Sequence, residues 1–248
     1  MVLLLACGGR GSEAALAAPA AIVVIVIDAL RADHFPCYGY ARDTAPFLAR
    51  LAAEGVVFER AYSTATWTAP AMASLFTSVY PLQHGVLAGL NVGETLGFVP
   101  GFDELVSFRR SRTAAGVNAQ LAEWEPRLAA GGRYFLFVHY LDPHFPFRAP
   151  EPAFRAAGSD DLARQVADYD GEIRHVDGRV EEAFRCFAWD RALVVVTPDH
   201  GEEFGEHGGP GHGLDRFART ARRYAADAAP VPLDGEAEEN LRALGYVQ

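Results

Sequence analysis

The chain has 248 residues, half of them apolar, and its 22 basic and 32 acidic side chains leave a formal charge of −10. That length fits one large domain or two small ones, with enough apolar residues for a sizeable core. Every basic residue is arginine, which excludes Schiff-base chemistry and a lysine phosphate clamp; the acidic balance argues against nucleic acid as a partner, because phosphate-backbone binding needs a basic face.

No apolar run approaches the roughly 20 residues of a membrane span. The first seven residues, MVLLLAC, resemble a bacterial lipobox, in which the cysteine (Cys7) becomes a lipidated terminus. On that reading residues 1–20 are a leader and tether, the chain is extracytoplasmic, and a lipid anchor is its only link to a membrane; the plainer reading is a frayed end. Ile22–Ile27 (IVVIVI) is a β-branched run expected of a strand buried on both faces of a parallel sheet. Asp43 or Thr44 can cap a helix with Pro46 in its first turn, with Phe47, Leu48 and Leu51 inward and Gly55 as its stop. Val56–Phe58 reads as a short strand, and a helix starts near Pro70 and runs towards Ser78.

Residues 86–112 show no clear periodicity. Val117, Leu121 and Trp124 recur at helical spacing until Pro126 interrupts them, and Tyr134–Val138 (YFLFV) is a further buried-type strand. From Leu162 to Val180 apolar residues recur every three to four positions, predicting an amphipathic helix over about 160–186. Ala192–Thr197 (ALVVVT) is a third buried strand, and the chain beyond Gly213 is arginine- and alanine-rich. Three cysteines cannot build a disulfide framework; Cys37 and Cys186 read as small buried apolar groups. Strands alternating with helices predict an α/β fold over residues 21–248, a three-layer αβα sandwich around a mostly parallel sheet.

In such sheets functional groups gather at the carboxyl ends of the strands. Those ends carry Asp28, the turn Thr66–Pro70, the segment Asp142-Pro143-His144, and Asp199-His200. Carboxylates, imidazoles and a hydroxyl are the ligand types of a divalent cation. Singly, such an aspartate caps a turn and such a histidine packs in a core; four strand ends of the same composition favour a common site.

Four segments then carry a resemblance: Asp28–Gly39 (DALRADHFPCYG), Thr66–Gly85 (TWTAPAMASLFTSVYPLQHG), His139–Phe147 (HYLDPHFPF) and Pro198–Gly213 (PDHGEEFGEHGGPGHG). In this order they resemble the sulfatase family of the alkaline phosphatase superfamily, from about residue 20 to 215, and Tyr169–Asp177 (YDGEIRHVD) is similar to the family helix before the last metal strand. The resemblance implies an alkaline-phosphatase-like fold and a metal held by Asp28, Asp199 and His200 and touched by a nucleophile, Thr68. It also implies that His144 and His212 grip the oxyanion or a second cation. Glu202, Glu203 and Glu206 read as solvated loop charges, with support of His200 as the alternative for Glu202, and His84, His139 and His207 as supporting or structural histidines.

Three departures qualify the resemblance. Sulfatases proper oxidise a cysteine or serine to formylglycine and need an arginine four residues on, whereas this chain has Thr68 and Met72. Threonine cannot give the aldehyde but serves as nucleophile in the superfamily's phosphodiesterases and phosphoethanolamine transferases. Ala29 stands where many sulfatases carry another acidic ligand, which suits zinc or manganese better than calcium, with one or two ions bound. Family members are usually much longer, and the shortening falls between Gly89 and Gly101 and after His212. The expectation is a metal-dependent hydrolase or transferase of phosphate or sulfate esters, small-molecule, lipid or glycan. The competing readings are a family member that folds and binds metal but is catalytically silent, and a binding module whose acidic loops capture cations.

Overall fold

The computed structural model describes residues 3–6, 19–86, 102–106, 113–130, 132–147, 154, 160–187 and 189–206. The chain divides into two compact units, Met1–Ala61 with Phe108–Pro198, and Tyr62–Ser107 with Asp199–Gln248.

The first unit holds a sheet of five strands: β1 (Leu3–Ala6), β2 (Ala21–Ile27), β3 (Val56–Val57), β4 (Tyr134–Tyr140) and β5 (Ala192–Thr197), in the order β3-β1-β5-β2-β4. β2 lies between β4 and β5, parallel to both, with Ile25 opposite Val138 and Val196. β1 runs antiparallel to β5 and β3, so residues that read in the sequence as part of a leader form a strand of the sheet.

The all-apolar strands predicted burial on both faces, but burial alternates. Val23, Ile25, Leu136, Val138, Val194 and Val196 are buried, while across the sheet Ile22 is 38% and Phe135 49% exposed. The helices of this unit form one layer: α1 (Pro46–Glu54) and α4 (Ala114–Ala129) both pack on α5 (Asp161–Cys186), and reach β1 and β4 respectively. On the opposite face, among the described residues, Val26 and Thr197 near the carboxyl ends of the strands are buried.

α5 is the brace of this unit. Its inward stripe of Tyr169, Ile173, Val176, Val180 and Ala183 is buried, following the predicted spacing, although Leu162 is 48% exposed. Two local expectations fail. The residue before α1 is Ala45, which offers no side-chain cap; the carboxylate of Asp177 on α5 instead accepts the first-turn N–H groups of Phe47 (3.0 Å) and Leu48 (2.8 Å). α4 continues through Pro126 to Ala129, because a proline this close to the carboxyl end displaces only one ladder bond. Cys37 is only half-buried, and Cys186, at the solvent-facing end of α5, is exposed, so neither is the buried apolar group expected.

The second unit contributes α2 (Thr68–Thr77) and α3 (Pro81–His84). α2 begins at Thr68, two residues before Pro70, and buries Ala69, Ala71, Met72 and Ala73. The N–H of Val86 donates to His84 Nδ1 (3.1 Å), so Nε2 carries the proton and donates to Ser74 Oγ (3.1 Å), bracing α3 against α2. No helix among the described residues is long and apolar enough to cross a membrane.

Candidate metal and catalytic site

In the first unit Asp28 immediately follows β2. Its N–H extends the parallel ladder by one bond, to the Tyr140 carbonyl (2.9 Å), which fixes the backbone just past the strand end. The side chain is 1% exposed, and its Oδ2 lies 3.4 Å from Nε2 of His139. From sequence His139 reads as supporting or structural; the structure sets it beside the leading ligand candidate. The signal for this is positional: His139 pairs in register with Val26, two residues before Asp28.

The chain turns sharply after Asp28. Ala29 has a left-handed backbone (φ +55°), uncommon for a residue with a Cβ. The hydroxyl of Tyr169 donates to the Ala29 carbonyl (2.8 Å) and accepts the N–H of Arg31 (2.8 Å). The next residue of α5, Asp170, is fully buried and binds His34 Nδ1 (2.7 Å), the Tyr40 hydroxyl (2.7 Å) and the Arg42 guanidinium (2.8 Å). The motif Tyr169–Asp177 therefore fixes the loop behind Asp28.

His144 sits in the turn after β4, with its N–H bonded to the Leu141 carbonyl (2.9 Å). Its Nδ1 lies 2.6 Å from the Phe145 carbonyl. A carbonyl only accepts, so Nδ1 holds the proton and Nε2 the lone pair. Asp142 does not join it: its carboxylate takes the N–H of Ala114 (3.1 Å) at the amino end of α4, and burial pushes its pKa up.

In the second unit Thr68, Asp199 and His200 stand together. Thr68, in the first turn of α2, is buried, and its Oγ1 is 3.2 Å from His200 Nε2. His200 Nδ1 donates to the Gly201 carbonyl (2.8 Å), which leaves the Nε2 lone pair towards the threonine hydroxyl. Asp199 Oδ1 accepts the His200 N–H (2.8 Å), and Oδ2 lies 3.4 Å from Nε2. The Ser63 hydroxyl lies 2.5 Å from the Asp199 carbonyl oxygen and holds that backbone.

Of the glutamates that follow, Glu206 is the exposed loop charge expected and Glu203 is half-buried, but Glu202 is not solvated. Glu202 is buried and accepts the N–H of Glu203 (3.1 Å), and Glu206 accepts that of Phe204 (2.6 Å). His207 and His212 lie outside the described residues. Of the predicted ligands and nucleophile, Thr68, Asp199 and His200 are brought together in one unit; Asp28 is in the other, with His139 and His144.

In each unit taken by itself, a buried carboxylate beside an imidazole is a donor pair that fits a divalent cation. Asp28 and Asp199 are buried carboxylates, costly to hold charged away from water unless a cation compensates them. The imidazoles of His139 and His200 supply nitrogen donors, and with the Nδ1 proton of His200 held by the Gly201 carbonyl its Nε2 is the atom available to a cation.

The sequence matches the Sulfatase family over residues 20–104 and 119–228. The chain belongs to the sulfatase family. It is 33% identical over 85 residues to the N-acetylgalactosamine-6-O-sulfatase of Bacteroides thetaiotaomicron, a match that takes in 34% of this chain and 15% of that protein's length. Two solved structures share its fold. The C-terminal periplasmic domain of EcEptC from Escherichia coli superposes with a TM-score of 0.59 at 15% identity, over 79% of this chain and 68% of the other. The phosphonate monoester hydrolase of Agrobacterium radiobacter gives 0.59 at 19% identity, over 79% and 66%. The fold is thus the alkaline-phosphatase-like α/β fold of sulfatases, with a mostly parallel sheet, and the chain spans only a fraction of the length of the curated relative it matches.

Proposed function

We propose that this sulfatase-family chain is a cation-dependent hydrolase or transferase of phosphate or sulfate esters with Thr68 as nucleophile. The observation that supports it most directly is Thr68 Oγ1 at 3.2 Å from a His200 Nε2 whose tautomer is fixed by Gly201. Asp28, Asp199 and His200 would hold the cation, with His139 at the Asp28 side. Connectivity supports this grouping: Asp28 and Asp199 each come two residues after Val26 and Thr197, which are register partners on adjacent strands.

When bound, a zinc or manganese ion supplies positive charge that lowers the pKa of a hydroxyl and screens the transferred group. Thr68 Oγ1 attacks the phosphorus or sulfur in line, and the ester oxygen departs as an alcohol. The proton lost by the threonine balances the one that this alcohol gains. The amino end of α2 contributes its dipole and its first-turn N–H groups to an anion held beside Thr68. His144, and His212 from the sequence reading, stabilise the charge that builds on the leaving oxygen. Water or a second alcohol then takes the group from the threonine ester.

Phosphate esters are the favoured substrates, because Thr68 cannot become formylglycine, although a glycan sulfatase is among the relatives. The placement of the reaction outside the cytoplasm is supported by the likeness to a periplasmic domain; Cys7, the proposed lipid attachment point, lies outside the described residues.

The test is turnover of a bis-aryl phosphate and an aryl sulfate by the full chain with zinc or manganese. Thr68→Ala is expected to lower kcat by about 10³-fold or more at unchanged thermal stability, as loss of a covalent nucleophile does. Wild type and variant equally inert on both ester classes would leave the catalytically silent family member as the correct reading.

A further inference from the structure

We infer that Tyr169 is a positioning residue: its hydroxyl holds the left-handed turn behind Asp28, and its ring ties that turn to the loop carrying His144. The inference builds on the cation reading above but stands on bonds within the first unit. Asp28 is placed by the residue after it, and Ala29 at φ +55° occupies a conformation that a Cβ disfavours. Something must hold it there. The Tyr169 hydroxyl does so from both sides of the turn, donating to Ala29 O and accepting from Arg31 N, each at 2.8 Å.

The ring of Tyr169 is wholly buried and meets Phe147 edge-on with centroids 5.4 Å apart. Phe147 in turn meets Phe145 edge-on at 5.5 Å, and Phe145 carries the carbonyl that fixes the His144 tautomer. On its other side the ring meets His34 at 5.1 Å, and His34 is anchored by Asp170. One side chain on a long helix thereby contacts the loops that follow β2 and β4. Nothing in the reaction as proposed consumes this hydroxyl, and its distance in sequence from Ala29 (140 positions) makes it a purely tertiary constraint.

The test uses the full chain as wild type, Tyr169→Phe, Ala29→Gly and the double variant. Phenylalanine keeps the ring and removes the hydroxyl with its bonds to Ala29 O and Arg31 N. In metal-free protein the Arg31 amide of Tyr169→Phe is expected to exchange with solvent about tenfold faster or more, while Val23 and Ile25 keep wild-type protection. Zinc affinity, measured by titration calorimetry with the metal alone, should fall about tenfold, the scale seen when a group supporting a ligand is lost. Because glycine adopts positive φ freely, adding Ala29→Gly to Tyr169→Phe should restore most of that affinity. Unchanged Arg31 exchange and zinc affinity in Tyr169→Phe overturns the inference, as does an affinity loss that Ala29→Gly leaves untouched. If wild type takes up neither zinc nor manganese, the cation reading fails by itself, and the Arg31 exchange rate decides the role of Tyr169.

Discussion

Asp170 is wholly buried yet carries three partners on two oxygens, His34, Tyr40 and Arg42. Burial and the neighbouring carboxylate together push the Tyr40 phenol well above its usual range, so Tyr40 is a permanent donor here. An amide in place of Asp170 offers one accepting oxygen and an NH2 that faces donors. Asp170→Asn should therefore destabilise the chain by about 3 kcal/mol, the scale of breaking a buried charged network, seen as a lower urea midpoint at unchanged slope; a loss below about 0.5 kcal/mol would show that the network is ornamental. At this scale the sequence is legible where chemistry is clustered. Thr68, Asp199 and His200 stand out because hydroxyl, carboxylate and imidazole fall in short Gly/Pro-bounded segments at strand ends. His139 does not, since a lone histidine inside YFLFVHY reads as one more core side chain until strand register brings it to Asp28. The burial of Glu202 is hidden for a related reason: an acidic run reads as solvated until the turn is seen to bury one of its members.

At the scale of elements, α1 depends on a cap from another helix. Burial raises the Asp177 carboxyl from 3.8 to about 6, against the lowering effect of the Phe47 and Leu48 N–H groups. A carboxyl with a raised folded pKa binds more protons folded than unfolded between those values. Its contribution to stability is therefore fully present below about 3.8 and is lost as pH rises through about 6. A pKa difference of that size corresponds to about 3 kcal/mol at most. The stability of wild type minus that of Asp177→Asn should accordingly grow as pH falls from 7 to 4; a difference flat across that window would remove Asp177 from the pH account. Local sequence could not supply this cap. Asp43 and Thr44 have the right chemistry for it, but Thr44 Oγ1 donates instead to the His34 carbonyl (2.6 Å) and Asp43 binds Arg174 (2.9 Å), and the acceptor that caps the helix is about 130 positions away. The long stripe of α5, by contrast, is legible because twenty-odd residues of one period outweigh any local ambiguity.

For the molecule as a whole, alternation of apolar runs with helical patterns yields the α/β class and the parallel strand pairs correctly. The alternation of burial along the strands is not legible, because IVVIVI, YFLFV and ALVVVT are apolar at almost every position and erase the period-two contrast. A ligand that binds only the folded chain adds to its stability by mass action. At zinc 100-fold above its dissociation constant the gain is about 2.7 kcal/mol, or roughly 5–10 °C in Tm for a chain of this size. A melting curve unmoved by zinc or manganese, and equally unmoved by a chelator, would count against the cation site.

Tyr169 and Asp177 are eight residues apart on α5, one gripping the turn behind Asp28 and the other the start of α1. Each residue of a helix advances the direction of its side chains by about 100° and its height by about 1.5 Å. Dropping a single residue on the outward side between them, such as Arg174, would leave every remaining letter in place and still swing one of the two grips away from its target. The helix works as a ruler with two marks: its outer lettering is open to change, while the count between the marks is not.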